Sequence, residues 1–94
     1  MVKQNIKYAL WLKSSGAALL QAVSFPKHRR KLGVAVRSWR KQAGLSQERL
    51  AEKADLSAVF ISHVERGVEN ISVDALVRIA GALNVQVHEL TKEF

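Results

Sequence analysis

The stretch from Gln47 to Arg66, QERLAEKADLSAVFISHVER, decides the fold of this chain. It contains two short helical patterns, and a serine that can act as an N-cap, Ser46 or Ser57, precedes each of them. Between the two patterns, Asp55 and Leu56 predict a tight turn. The sequence therefore predicts two short helices that meet at a sharp angle.

The apolar residues of this stretch indicate how the two helices pack. Ala51 must be small because the second helix crosses close above it, and Leu56 fills the angle between the helices. Ile61 and Val64 attach the second helix to a core. This packing leaves the opposite face of residues 57–66 directed outward, and a helix presented in that way fits the major groove of DNA.

Helical patterns continue on both sides of this pair. Before it, apolar residues recur on one helical face until Gly44 ends the pattern. After it, Gly67 ends the second helix, Ser72 caps a fourth helix that ends at Asn84, and a short fifth helix follows around Val87. No alternating run favours β-pairing. The sequence predicts an all-α bundle of five helices over residues 32–91.

Residues 1–31 are interpreted as a separate part, an amphipathic helical extension followed by a basic linker. Pro26 and the run Lys27-His28-Arg29-Arg30-Lys31 join it to the bundle. Its apolar run is interrupted and too short to span a bilayer. Its apolar residues need a partner, which could be the bundle, a second subunit or another protein; membrane-surface binding is a less favoured alternative.

Charge is distributed unevenly along the 94 residues, whose formal net charge is +7. Residues 1–44 carry ten basic and no acidic side chains, whereas residues 45–94 carry five basic and eight acidic ones. A basic half points to an anionic partner, either nucleic acid or a membrane surface, although solubility alone is an alternative. The linker residues Arg29, Arg30 and Lys31 could equally be solvated or contact phosphates.

Catalysis and metal binding find no support in the sequence. The chain has no cysteine, no Gly-rich phosphate loop, no Ser-His-Asp spacing and no clustered carboxylate pair. His28 and His88 have no partners at metal-binding spacing. We therefore predict a protein that is not an enzyme, binds no cofactor or metal, and resides in the cytoplasm.

From Leu32 to Leu90 the chain resembles the Cro/C1-type (XRE-like, lambda-repressor-like) helix-turn-helix family. The resemblance is carried by RKQAGLSQERLA from Arg40, Leu56-Ser57, ISHVERG from Ile61, and IAGALNV from Ile79. The run from Glu65 to Ser72 is similar to controller proteins of restriction–modification systems. The resemblance implies a transcriptional regulator that binds double-stranded DNA as a homodimer, with dimer contacts around Val85, Val87, Leu90 and Phe94.

The resemblance also implies roles for individual residues. The implied base contacts are Ala58, Val59, Ser62 and His63. The implied phosphate contacts are Gln47, Ser57, Phe60 and Asn70. Arg40 and Glu65 would form a structural ion pair. Phe60 could instead be a core-edge residue, and His63 an ordinary surface histidine.

The chain departs from the family pattern in two ways. Asp55 stands where the family usually has glycine at a positive φ, a region that Asp tolerates better than most residues. The outward face of the recognition helix lacks Arg, Lys, Gln and Asn for bidentate base contacts, whereas Ala58 and Val59 can pack against thymine methyl groups. We therefore predict an A·T-containing half-site, with part of the specificity coming from DNA shape.

A second hypothesis is an antitoxin or adaptor whose N-terminal segment binds a partner protein. The apolar residues Tyr8, Trp11, Leu12 and Leu20 motivate it.

Overall fold

The computed structural model describes residues 26–94, and the expectations for residues 1–25 lie outside this part of the chain. The described residues form five helices and no strand: α1 Lys27–Gln42, α2 Gln47–Ala54, α3 Ala58–Glu65, α4 Val73–Leu83 and α5 Val87–Thr91. The predicted all-α bundle of five helices is confirmed. None of these helices has the length and apolar character needed to cross a membrane.

The predicted serine caps begin α2, α3 and α4. The hydroxyls of Ser46, Ser57 and Ser72 accept hydrogen bonds from the backbone N–H groups of Arg49, Phe60 and Ala75, at 3.0, 3.0 and 3.1 Å. Each bond satisfies one of the N–H groups that a helix leaves without a partner in its first turn. Local sequence therefore sets where these three helices start.

Left-handed residues end four of the helices, and they are Gly44, Asp55, Gly67 and Asn84. After α3, the N–H of Gly67 bonds to the carbonyl of Val64 and the N–H of Val68 bonds to that of His63, at 3.0 and 3.1 Å. This is the Schellman pattern. Asp55 has φ 57°, as predicted, so a side chain occupies the backbone region that glycine adopts most easily.

The predicted start of the first helix is wrong. α1 begins at Lys27, directly after Pro26, and not at Leu32. The run from Lys27 to Lys31 is therefore helical and is not a linker. Lys and Arg are strong helix formers, and proline favours positions at or before the first turn, so the helix extends up to Pro26. The division of the chain at residue 31 stays a prediction.

The core lies between α1, α4 and the α2–α3 pair. Its fully buried side chains are Val36, Leu50, Ile61, Ile79 and Leu90. α5 packs mainly against α1 and α4. Because Leu90 is only 1% exposed and belongs to this core, the expectation that it forms dimer contacts is wrong for this residue.

α1 and α3 approach each other at Gly33. A Cβ atom at Gly33 would lie 2.5 Å from the carbonyl oxygens of both Val64 and Glu65. Contacts this short with backbone atoms leave no room for any side chain. Gly33 therefore fixes the C-terminal end of α3 against α1.

Candidate nucleic-acid interface

The outward face of α3 is free of the bundle. Ile61 and Val64 are buried, whereas Val59, on the opposite side of the helix, is 64% exposed. Ser62 and His63 follow Val59 at spacings of three and four residues and are half-buried. Residues at these spacings share one helical face. The structure thus brings three of the four predicted base contacts together on one surface, which we call the reading face.

The other predicted contacts surround this face and differ in accessibility. Ala58 and Phe60 are half-buried and pack against the core. Ser57 is exposed, and its hydroxyl oxygen is engaged in capping α3. Asn70 is exposed in the loop between α3 and α4. The packing of Phe60 agrees with its alternative interpretation as a core-edge residue.

Arg40 and Glu65 form a two-pronged ion pair between α1 and α3. Nε of Arg40 donates to Oε2 of Glu65 at 2.6 Å, and Nη2 donates to Oε1 at 3.0 Å. Nη1 donates to the carbonyl of Leu45 at 2.8 Å. The side chains of Arg40 and Glu65 are only 11% and 2% exposed. This planar, desolvated arrangement fixes the orientation of α3 relative to α1.

Gln47 joins the same pair. Its Nε2 donates to Oε1 of Glu65 at 3.1 Å, so one carboxylate holds the ends of α1, α2 and α3 together. An amide nitrogen carries two hydrogens, and this bond uses one of them. The side chain that is predicted to contact phosphate is therefore oriented by Glu65, an interaction that the sequence did not predict.

The ion pair with Glu65 affects the pKa of Arg40. Its hydrogen bonds to Glu65, assisted by the charge of that carboxylate, raise the pKa of Arg40 above its usual value despite the opposing effect of burial. A group whose pKa is raised on folding stabilises the fold below its unfolded pKa and loses that contribution as pH rises through the folded value. The contribution of Arg40 is therefore lost only in strongly alkaline solution.

His63 on the reading face has an acidic neighbour. Its Nδ1 lies 3.5 Å from Oε1 of Glu69, in the loop that follows α3. Both side chains are partly exposed, at 39% and 31%. The imidazole of His63 and the carboxylate of Glu69 therefore share a solvent-accessible site at the C-terminal end of α3.

Arg66 is a candidate that sequence reasoning missed. It caps the C-terminus of α3, is exposed, and follows Val59 by seven residues, so it continues the reading face by one turn. The resemblance points to the turn that Arg66 forms with Gly67 and assigns no role to the arginine side chain. The seven-residue spacing from Val59 is the signal that could have identified it.

Similarity to known proteins agrees with this geometry. The model of the helix-turn-helix family HTH_3 matches residues 36–90, more than half of the chain. The chain belongs to this family. Among residues 26–94, no group of three or more side chains is arranged to hold a metal ion.

Curated relatives cover the same region. The chain is 44% identical over 55 residues to the control protein C.SmaI of Serratia marcescens, covering 58% of this chain and 66% of that protein. It is 39% identical over 62 residues to an immunity repressor protein of Bacillus phage phi105, covering 66% of this chain and 43% of that protein. The chain thus spans about half the length of several curated relatives that it matches.

Solved structures share the fold. The restriction–modification controller protein C.AhdI of Aeromonas hydrophila superposes with a TM-score of 0.68 and 35% identity, covering 69% of this chain and 98% of that one. SinR, the master regulator for biofilm formation, solved in complex with DNA, superposes with a TM-score of 0.61 and 35% identity. That match covers 63% of this chain and 95% of the SinR chain.

Proposed function

We propose that this protein is a sequence-specific transcriptional regulator that binds an operator as a homodimer through the major groove. The observation that carries the proposal is the reading face of α3, which remains accessible at Val59, Ser62 and His63 while Ile61 and Val64 on the opposite face of the same helix are buried. Membership of the helix-turn-helix family supports DNA binding over catalysis. We expect the protein to act in the cytoplasm, with the DNA that it reads.

The proposed base contacts are divided between two kinds of interaction. Val59, the most exposed residue of the reading face, offers a methyl surface to thymine. Ser62 and His63 offer hydrogen bonds to base edges. We therefore propose that the half-site contains A·T base pairs. Ala58 adds a smaller apolar contact because it is half-buried.

The proposed phosphate contacts lie around the reading face. Gln47 lies at the first position of α2, where backbone N–H groups and the helix dipole favour an anion, and its second amide hydrogen remains to be donated. Ser57 and Asn70 add polar groups on either side of α3. Phe60 contributes by supporting α3 from the core side more than by contact with DNA.

Homodimer formation completes the proposal. Two recognition helices about one DNA turn apart, ~34 Å, would read two related half-sites. Val85 and Val87 are half-buried and Phe94 is 55% exposed, so they remain available at the α5 end. Chromatography with light scattering tests this part, and a monomer at all concentrations, with and without DNA, would contradict it.

The direct test of DNA binding is anisotropy of a labelled duplex with a salt titration. We predict an affinity that falls steeply between ~50 and ~200 mM salt, because phosphate contacts release counterions. A duplex selected from a random library should bind far more tightly than an unrelated duplex of equal length. Equal affinities for both duplexes would contradict sequence-specific recognition.

A further inference from the structure

We propose that Arg37 of α1 and Arg66 at the end of α3 form a phosphate clamp that binds the DNA backbone beside the reading face. The inference rests on the proposed function and extends it to the C-terminal half of α1, which none of the predicted DNA contacts includes. The clamp binds phosphates and not base edges, so it adds affinity without sequence preference.

The position of Arg37 follows from its two neighbours on α1. Gly33 precedes it by four residues and lies against the backbone carbonyl of Glu65, and Arg40 follows it by three residues and binds the carboxylate of Glu65. Residues three and four apart share a helical face, so Arg37 lies between these two contacts on the side of α1 that meets the end of α3. Arg37 therefore lies on the face of α1 that meets Glu65, and Arg66 is the next residue of the chain.

The carboxylates of this surface are already occupied. Glu65 accepts three hydrogen bonds from Arg40 and Gln47, and Glu69 lies beside His63. Arg37 and Arg66 are exposed, and neither forms an ion pair with any residue from 26 to 94. The two guanidinium groups thus keep their charge available to an external anion.

The stability of α1 as a helix does not explain why it carries so many positive charges. The helix carries seven Lys or Arg residues and no acidic residue. Cations near a helix N-terminus and like charges four residues apart, such as Arg37 and Lys41, destabilise an isolated helix. A polyanion such as DNA would compensate for this repulsion on binding.

The clamp also has a suitable position relative to the groove. α3 has eight residues and is therefore about 12 Å long. Because the N-terminal residues of a recognition helix are the ones that contact base edges, its C-terminal end is left to approach the phosphates that border the groove. A guanidinium group can bind two phosphate oxygens at once, which favours arginine at both positions.

The test compares salt dependence in Arg37→Gln, Arg66→Gln and the double variant. A control with the same change in charge is Lys31→Gln, because Lys31 lies on the same helix but lines a groove between α1 and α5 with Trp39 and Glu89, a position that favours the solvated alternative over a phosphate contact. In a plot of log affinity against log salt concentration, each clamp substitution should make the slope shallower by about 0.9 for each phosphate that the variant no longer neutralises. Affinity should fall by the same factor for selected and unrelated duplexes.

The outcomes separate this inference from the proposed function. If the wild-type protein binds a selected duplex specifically but the double variant keeps the slope of Lys31→Gln, the clamp is wrong and the regulator stands. If the wild-type protein binds no duplex at low salt, both proposals are wrong. Thermal melting followed by circular dichroism should show only small differences among these variants, since all three side chains are exposed and like-charge pairs on a helix change stability by about 0.2–0.5 kcal/mol.

Discussion

Gly33 lies so close to the end of the recognition helix that a Cβ atom there would be 2.5 Å from the carbonyl oxygen of Glu65. The contact joins backbone to backbone, so neither side can relieve it by changing a rotamer. It places α3 at the distance from α1 at which Arg40 reaches the Glu65 carboxylate. Glycine at this position is thus a requirement of the fold that also orients the reading face.

We predict that Gly33→Ala destabilises the protein by ~1–3 kcal/mol, the usual cost of an extra methyl group where there is no space. Chemical denaturation measures the effect. Gly81→Ala is the matched control, because Gly81 lies in α4 and a Cβ atom there would have no atom within 4 Å beyond its chain neighbours and the backbone of its own helix. That variant should gain ~0.5–1 kcal/mol from helix propensity. Equal effects of the two substitutions would show that the α1–α3 contact is not tight.

Removing the Glu65 carboxylate should lower the free energy of unfolding substantially. Glu65→Ala leaves the guanidinium of Arg40, whose side chain is 11% exposed, without its ionic partner, and we expect a destabilisation of ~3–5 kcal/mol. Glu52→Ala removes the carboxylate of the exposed Arg49–Glu52 pair and should change stability by less than ~1 kcal/mol. Urea denaturation of both variants provides the comparison, and a Glu65→Ala variant as stable as Glu52→Ala would contradict the structural role of the pair.

Asp55 allows a test of the turn between α2 and α3. Its left-handed backbone costs energy for a residue with a side chain, and its charge lies at the unfavourable negative end of α2. We predict that Asp55→Gly raises the melting temperature and that Asp55→Asn, which removes only the charge, raises it less. Asp55→Ala should lower it, because Ala tolerates this region poorly. A higher melting temperature for Ala than for Gly would contradict this order.

Local sequence signals predict the helix ends. Contacts between distant parts of the chain depend on long-range packing, and local signals do not predict them. Ser46, Ser57, Gly67 and Asn84 act within a few residues of their own position, so their roles are readable in the sequence. Gly33 has no such local signature, because its partner lies about thirty residues away in α3.

The start of α1 and the second role of Gln47 escape prediction for related reasons. The charge of the basic run after Pro26 favours a solvated linker, but the helix propensity of Lys and Arg makes the run part of α1. The family resemblance assigns Gln47 to phosphate and gives no information about a bond to Glu65. Arg66 belongs to the capping turn of α3, and the turn alone does not indicate where its side chain lies relative to Val59.

The most direct measurement of DNA reading by α3 is the sequence selected from a random duplex library by the wild-type protein and by Val59→Arg. We predict that the wild-type protein enriches paired A·T-containing half-sites, and that Val59→Arg enriches a different half-site, since arginine prefers guanine. Val34→Arg is the control, because Val34 is 68% exposed on α1 and the variant should select the wild-type sequence. Identical selected sequences for Val59→Arg and the wild-type protein would contradict the assignment of α3 as the DNA reader.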